Sequence, residues 1–208
     1  MNYICFIDSI EFMTKAERTR QFIIETTAPI FNKKGYEGTS ISDITTATGL
    51  TKGSIYGNFK DKDELAAVAF DYNLGRVRDE IMRRSLGLKD PVEQLLIYVD
   101  FYGEVYDKIF IAGGCPLLNT AVDADDSNPL LFTRVCKAML EWHSHIRKIV
   151  EYGMKKEIFT AETDAEAFAD QFVSLIEGGM LLSKTFRNKK HLDSNLLFIR
   201  KMIVEIRS

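Results

Sequence analysis

The chain has 208 residues, 46% of them hydrophobic and 27% charged. That balance is ordinary for a globular protein, and the length suits one large domain or a small domain fused to a larger one. A formal charge of −3 excludes a chain that is basic throughout, so nucleic-acid binding would rest on a local patch.

Cys5, Cys115 and Cys136 form no disulfide framework and no zinc pattern, which points to a reducing, cytoplasmic compartment. No apolar run reaches the roughly 18 residues of a membrane span. Residues 1–13 lack a basic start and carry Asp8 and Glu11, so they are not a signal peptide. They read as a flexible tail, or as an upstream extension of a chain that starts at Met13.

Helical signals dominate the rest. Thr14 and Glu17 make a capping box for a helix over Lys15–Lys34, with Phe22, Ile23, Ala28, Ile30 and Phe31 as its buried stripe and Pro29 bending it. Gly35 stops it. Ser40 caps a short helix to Thr48, Gly49 ends that helix, and Thr51 caps another over Lys52–Asn58. Asp61 caps a long helix to about Ser85, and Asp90-Pro91 opens a fifth, broken at 112–116. A short helix over Leu117–Val122 and an acidic loop over Asp123–Asn128 follow. Long helices start at Pro129, Asp164 and Asp193. The reading is all-α, with about nine helices: a helix-turn-helix domain over 14–62 (motif 40–59) and a larger domain over 63–208.

Residues 39–59 carry the functional signal. Two short helices meet at Gly49, where a left-handed backbone is cheapest for glycine. Ile44, Ala47, Leu50, Ile55 and Phe59 form a small shared core that holds the second helix outward, able to enter a major groove. Thr51, Ser54 and Tyr56 carry hydroxyls, Lys52 and Lys60 carry charge, and Gly53 allows close approach to a phosphate. Residues 13–62 hold eight Lys and Arg against five Asp and Glu, so +3 is concentrated there.

Gly35-Tyr36-Glu37-Gly38-Thr39-Ser40-Ile41, then Thr51-Lys52-Gly53-Ser54-Ile55-Tyr56, then Phe59-Lys60-Asp61-Lys62-Asp63-Glu64-Leu65 resembles the signature of the TetR family of transcriptional regulators. Thr45 stands where that family usually has alanine, and Gly57 where a larger residue such as histidine is common. The resemblance implies phosphate contacts from Ser40, Thr51, Tyr56 and Lys60, and base-edge contacts from Lys52, Ser54 and Asn58. It also implies a homodimeric repressor of palindromic operator DNA, released by a small effector. Activation on the same fold, or a helical interaction protein that has lost DNA binding, are the alternatives.

In that family the remainder binds ligand and dimerises. The implied pocket residues are Tyr98, Phe101, Tyr102, Val105, Phe110, Cys115, Phe132, Met139, Trp142, His143 and Phe172, an aromatic set suited to a hydrophobic or aromatic effector. The implied dimer face comprises Phe168, Phe172, Ser174, Leu175, Gly178, Gly179, Leu182, Leu196, Ile199 and Ile203. Cys115 reads as a buried structural cysteine rather than a redox sensor. His143 and His145, two apart on a helix, make no metal pair, and Asp123, Asp125 and Asp126 read as a solvated turn without the pattern of a calcium loop. No phosphate loop, metal-protease motif or nucleophile elbow is present, so an enzyme is disfavoured. No metal or other cofactor is implied.

Overall fold

A computed structural model describes residues 13–208, the side chain of Phe110 excepted. Cys5 and the rest of the expected tail, Met13 apart, lie outside these residues. Nine α-helices are present among them: α1 Lys15–Lys34, α2 Ile41–Thr48, α3 Lys52–Tyr56, α4 Lys62–Ser85, α5 Pro91–Ile111, α6 Pro116–Ala124, α7 Pro129–Lys155, α8 Ala165–Phe186 and α9 Lys190–Glu205.

The helix starts follow from caps written in the sequence. Thr14 and Glu17 close a capping box on α1, and Ser40 and Asp43 close another on α2. Thr51, Asp61, Asn128 and Asp164 each accept a backbone N–H at the heads of α3, α4, α7 and α8. Pro29 does not end α1, which runs on to Lys34. Gly49 leaves α2 at φ +68.

The buried stripe of α1 excludes Phe22, which is exposed. Thr27 takes a buried place instead, because its hydroxyl is satisfied by the Ile23 carbonyl at 2.7 Å. Ala47 likewise faces solvent. Its expected place is taken by Thr48, whose hydroxyl donates to the Ile44 carbonyl at 2.8 Å. The acidic loop begins later than expected, because α6 extends to Ala124 and makes Asp123 helical.

Two apolar cores result. One gathers α1–α4 around Ile23, Ile44, Ile55, Phe59 and Leu65, and continues into α6 and α7 through Leu117, Leu131 and Val135. The other packs α5, α7, α8 and α9 around Leu95, Ile146, Phe172, Ile176 and Ile199. Phe159 closes the far end of the second core. There the Ser208 N–H donates to the Ile158 carbonyl at 3.0 Å, and the Thr160 N–H to the Ile206 carbonyl at 2.8 Å.

A polar joint ties the first core to the second. Asn32 in the last turn of α1 donates to the carbonyls of Ala112 and Gly114 at 2.8 and 3.0 Å. Asn119 on α6 donates to the Asn32 carbonyl at 3.1 Å and the Gly113 carbonyl at 2.8 Å. The Asp123 carboxylate accepts the Tyr36 backbone N–H. Gly35 is required beside it: φ is +75, and a Cβ would sit 2.5 Å from Asp123 Oδ1.

Gly153 tests the packing of the far end, since a Cβ there would lie 2.0 Å from Phe159 Cδ2. Gly153→Ala is expected to cost about 3 kcal/mol through overpacking, read as a lower urea midpoint with the m-value unchanged.

Candidate nucleic-acid interface and aromatic cavity

Helices α2 and α3 form the two-helix unit expected from the sequence, joined by the left-handed turn at Gly49. Ile44 and Ile55 are buried between them and α1, and Leu50 is partly buried against the same core. Phe59 is covered by Arg20, whose guanidinium lies 4.1 Å from the ring centre. Arg20 also donates to the Asn58 carbonyl and pairs with Glu64, at 2.9 and 2.8 Å. This brace fixes the far end of α3 to α1 and α4.

The outward face carries Thr51, Lys52, Gly53, Ser54 and Tyr56, all exposed, flanked by Ser40 and Lys60. The Lys52 ammonium lies 5.8 Å from the Tyr56 ring centre. Ser40 Oγ and Thr51 Oγ1 accept the Asp43 and Ser54 backbone N–H groups at 3.1 and 3.2 Å, so both serve as caps as well.

Asn58 is differently placed. α3 ends at Tyr56, two residues earlier than expected, and Asn58 folds back so that its amide donates to the Ser54 carbonyl at 2.8 Å. Asn58 is half-buried, and its amide is engaged at the end of α3.

Gly53 is informative by what it does not do. A Cβ there would meet only Thr51 Oγ1, at 3.8 Å. Nothing inside the fold demands a glycine, so the missing side chain leaves room outside it.

In the larger half, a cavity of about 410 Å³ opens between α4, α5 and α7, within the size range of small-molecule sites. Tyr98, Tyr102 and Trp142 line it as expected. Trp142 stacks on Tyr98 and Tyr102 at 6.3 and 6.0 Å between ring centres, and Phe172 meets Tyr98 edge-on behind that wall. The remaining wall comes from α4 (Leu74, Val77, Arg78, Ile81, Met82, Ser85), with Leu117, Ala138, Glu141 and His145. The sequence reading missed these. The signal for α4 was its run of apolar residues at helical spacing beyond Leu74, more than the N-terminal core needs.

Other expected pocket residues lie elsewhere. Phe101 is buried with Arg84 5.5 Å from its ring centre. Val105 packs partly into the C-terminal core, and Phe132 is exposed on the first turns of α7. Met139 and His143 face α8 instead. The side chain of Phe110 lies outside the described residues. His143 and His145 diverge as expected: His143 Nε2 is 2.9 Å from Asp170 Oδ1, while the His145 ring lies 6.3 Å from that of Tyr98. Among the described residues no three His, Cys, Asp or Glu side chains converge as a metal site.

Cys115 is buried, and its thiol donates to Glu177 Oε1 at 3.0 Å. Burial, then the neighbouring Glu177 charge, pushes the thiol well above its ordinary range, which suits a structural cysteine. Asp123 is no part of a solvated turn, because its carboxylate holds the Tyr36 N–H; Asp125 and Asp126 are exposed.

The expected dimer face divides in two. Phe168, Phe172, Leu196, Ile199 and Ile203 are buried in the subunit's own core. Gly179 serves α8–α9 packing, since a Cβ would lie 3.1 Å from Leu192 Cα. Ser174, Leu175, Gly178 and Leu182 remain wholly or partly accessible on the outer side, and Leu181, Phe186, Leu197, Phe198 and Val204 join them as exposed apolar residues.

This architecture is that of known regulators. The model for bacterial regulatory proteins of the tetR family matches residues 23–69, and the tetracyclin repressor-like C-terminal domain matches residues 91–198. A solved transcriptional regulator of the TetR family from Cytophaga hutchinsonii is 39% identical, with a TM-score of 0.88 over 94% of this chain and 98% of its own. The uncharacterized HTH-type transcriptional regulator YxaF of Bacillus subtilis is 29% identical over 85% of this chain and 91% of its own. The HTH-type transcriptional repressor DhaR of Mycobacterium sp. is 24% identical over 86% and 89%. Head and body together define a helix-turn-helix transcriptional regulator. The chain belongs to the TetR family.

Glu177 provides a test of the buried geometry. Burial raises its carboxyl from 4.5 to about 7. The folded state therefore holds a proton that the unfolded state releases, so this group's contribution is full below about pH 4.5 and fades as pH rises through 7. Glu177→Gln removes that dependence. It is expected to stabilise the protein at pH 8 relative to wild type by about 3 kcal/mol at most and far less at pH 5, measured by urea unfolding at both pH values.

Proposed function

We propose that the protein is a homodimeric repressor that reads a palindromic operator with α3 and is released by a hydrophobic or aromatic effector bound in the α4–α5–α7 cavity. The observation that carries the DNA-binding reading is the exposed face of α3, where Lys52, Ser54 and Tyr56 surround a glycine the fold does not require. Ser40, Thr51, Tyr56 and Lys60 contact phosphates, with Gly53 letting the backbone approach them. Lys52 and Ser54 face the base edges.

The outer sides of α8 and α9 pair with their copies in a four-helix interface. Leu182 and Leu197, 43% and 57% exposed, belong to an apolar surface unusual for a monomer. Pairing there sets the distance between two recognition helices, which must match half-sites about 34–36 Å apart. Effector binding against α4 changes that distance and lowers operator affinity. Among the described residues no helix is long and apolar enough to cross a membrane.

The central experiment is a mobility-shift titration on the DNA upstream of the protein's own gene, at fixed salt with nonspecific competitor. A specific shift reversed by aromatic compounds supports the reading; absence of a shift there and no enrichment from random DNA would refute it. Tyr56→Phe should weaken binding several-fold across all sequences, whereas Lys52→Ala should change which sequences are preferred. Leu182→Asp should convert dimer to monomer in sedimentation equilibrium and abolish operator binding at the same protein concentration.

A further inference from the structure

A second cavity, of about 430 Å³, lies between α7 and α8. Met139, Leu140 and Val173 make its apolar wall, and Glu166, Asp170 and Glu177 make its acidic one. Glu177 is 8% exposed. Its Oε1 accepts the Cys115 thiol, while Oε2 has no hydrogen-bond partner among the described residues.

The nearest basic side chains face the outer carboxylates instead. His143 Nε2 lies 2.9 Å from Asp170 and 3.9 Å from Glu166. Arg147 Nε lies 3.3 Å from Glu166, and its Nη1 3.2 Å from Glu151. On the α5–α6 side Glu177 faces Tyr102 and Cys115, which bring no positive charge. A buried carboxylate without a counter-charge is unfavourable, and a cation supplied from outside offsets that cost.

We propose that this cavity binds an organic monocation, an amine or amidinium with a compact apolar body, whose N–H donates to Glu177 Oε2. Met139, Leu140 and Val173 cover the apolar body, and Asp170 and Glu166 draw cations toward the mouth. The site is separate from the aromatic cavity and does not depend on how that cavity is used. Burial holds the Glu177 carboxyl at about 7, so it must lose a proton before it pairs, and affinity rises with pH between about 6 and 8.

The test uses full-length protein and calorimetric titration with benzylamine, 2-phenylethylamine, hexylamine and benzamidine. Each is set against its neutral counterpart: benzyl alcohol, 2-phenylethanol, hexanol or benzamide. At least one cation should bind at least ten-fold more tightly than its counterpart at pH 8, and the preference should shrink at pH 6. Glu177→Gln, which keeps the side chain's shape and removes its charge, should abolish the preference while circular dichroism stays native. Equal binding of every cation and its counterpart overturns the proposal, as does a preference that survives Glu177→Gln. A preference lost in Asp170→Asn but kept in Glu177→Gln would also overturn it, placing the cation on surface carboxylates. None of these readouts involves DNA, so a failure here and a failure of the repressor reading are distinguishable.

Discussion

The amide cluster of Asn32 and Asn119 is the joint on which the rest of the molecule turns. The recognition helix belongs to a small head, and α4 connects that head covalently to the body. A single rod would leave the head free to swing. Asn32 reaches the carbonyls at 112 and 114, and Asn119 reaches back to Asn32 and Gly113. Lys184 on α8 extends the chain of contacts by donating to Asn119 at 3.0 Å. The head is thus held by α4, by the segment that ends α5 and starts α6, and by its apolar packing onto α6 and α7.

That second attachment lies close to both cavities. Leu117 on α6 lines the aromatic cavity and also belongs to the head's apolar core. Cys115, one residue before α6, is hydrogen-bonded to Glu177 in the body. A displacement of α6 would therefore alter contacts to Asn32 on one side and to Glu177 on the other. Packed interiors respond to such shifts by switching between arrangements rather than by yielding smoothly.

The head was legible from the sequence because its helices are short and locally encoded. Thr14, Ser40, Thr51 and Asp61 cap as their types demand, and a left-handed Gly49 fixes the turn. Where local signals compete, the reading failed. Asn58, expected inside α3, lies beyond its end and donates its amide to the Ser54 carbonyl. Thr27 and Thr48 are polar by type, yet each hides its hydroxyl on a carbonyl one turn back, which apolar periodicity cannot register. In the body the apolar residues of α8 and α9 are distributed around more than one face, so the sequence could not separate Ile199, which fills the core, from Leu197, which faces outward. The aromatic cavity was half-visible: its rings were anticipated, while its α4 wall and His145 depend on packing between distant segments.

The pairing of 158–160 with 206–208 has a practical bearing on how the protein is handled. Helix α7 spans 27 residues, roughly 40 Å at helical rise. Its first turns pack against the head, and its last turn leads into the segment that grips Ser208. A surface anchor or fluorophore joined at Ser208 therefore sits at the opposite pole from α3, on backbone that is hydrogen-bonded in place. Immobilised there, the protein would present its reading surface to solution unobstructed.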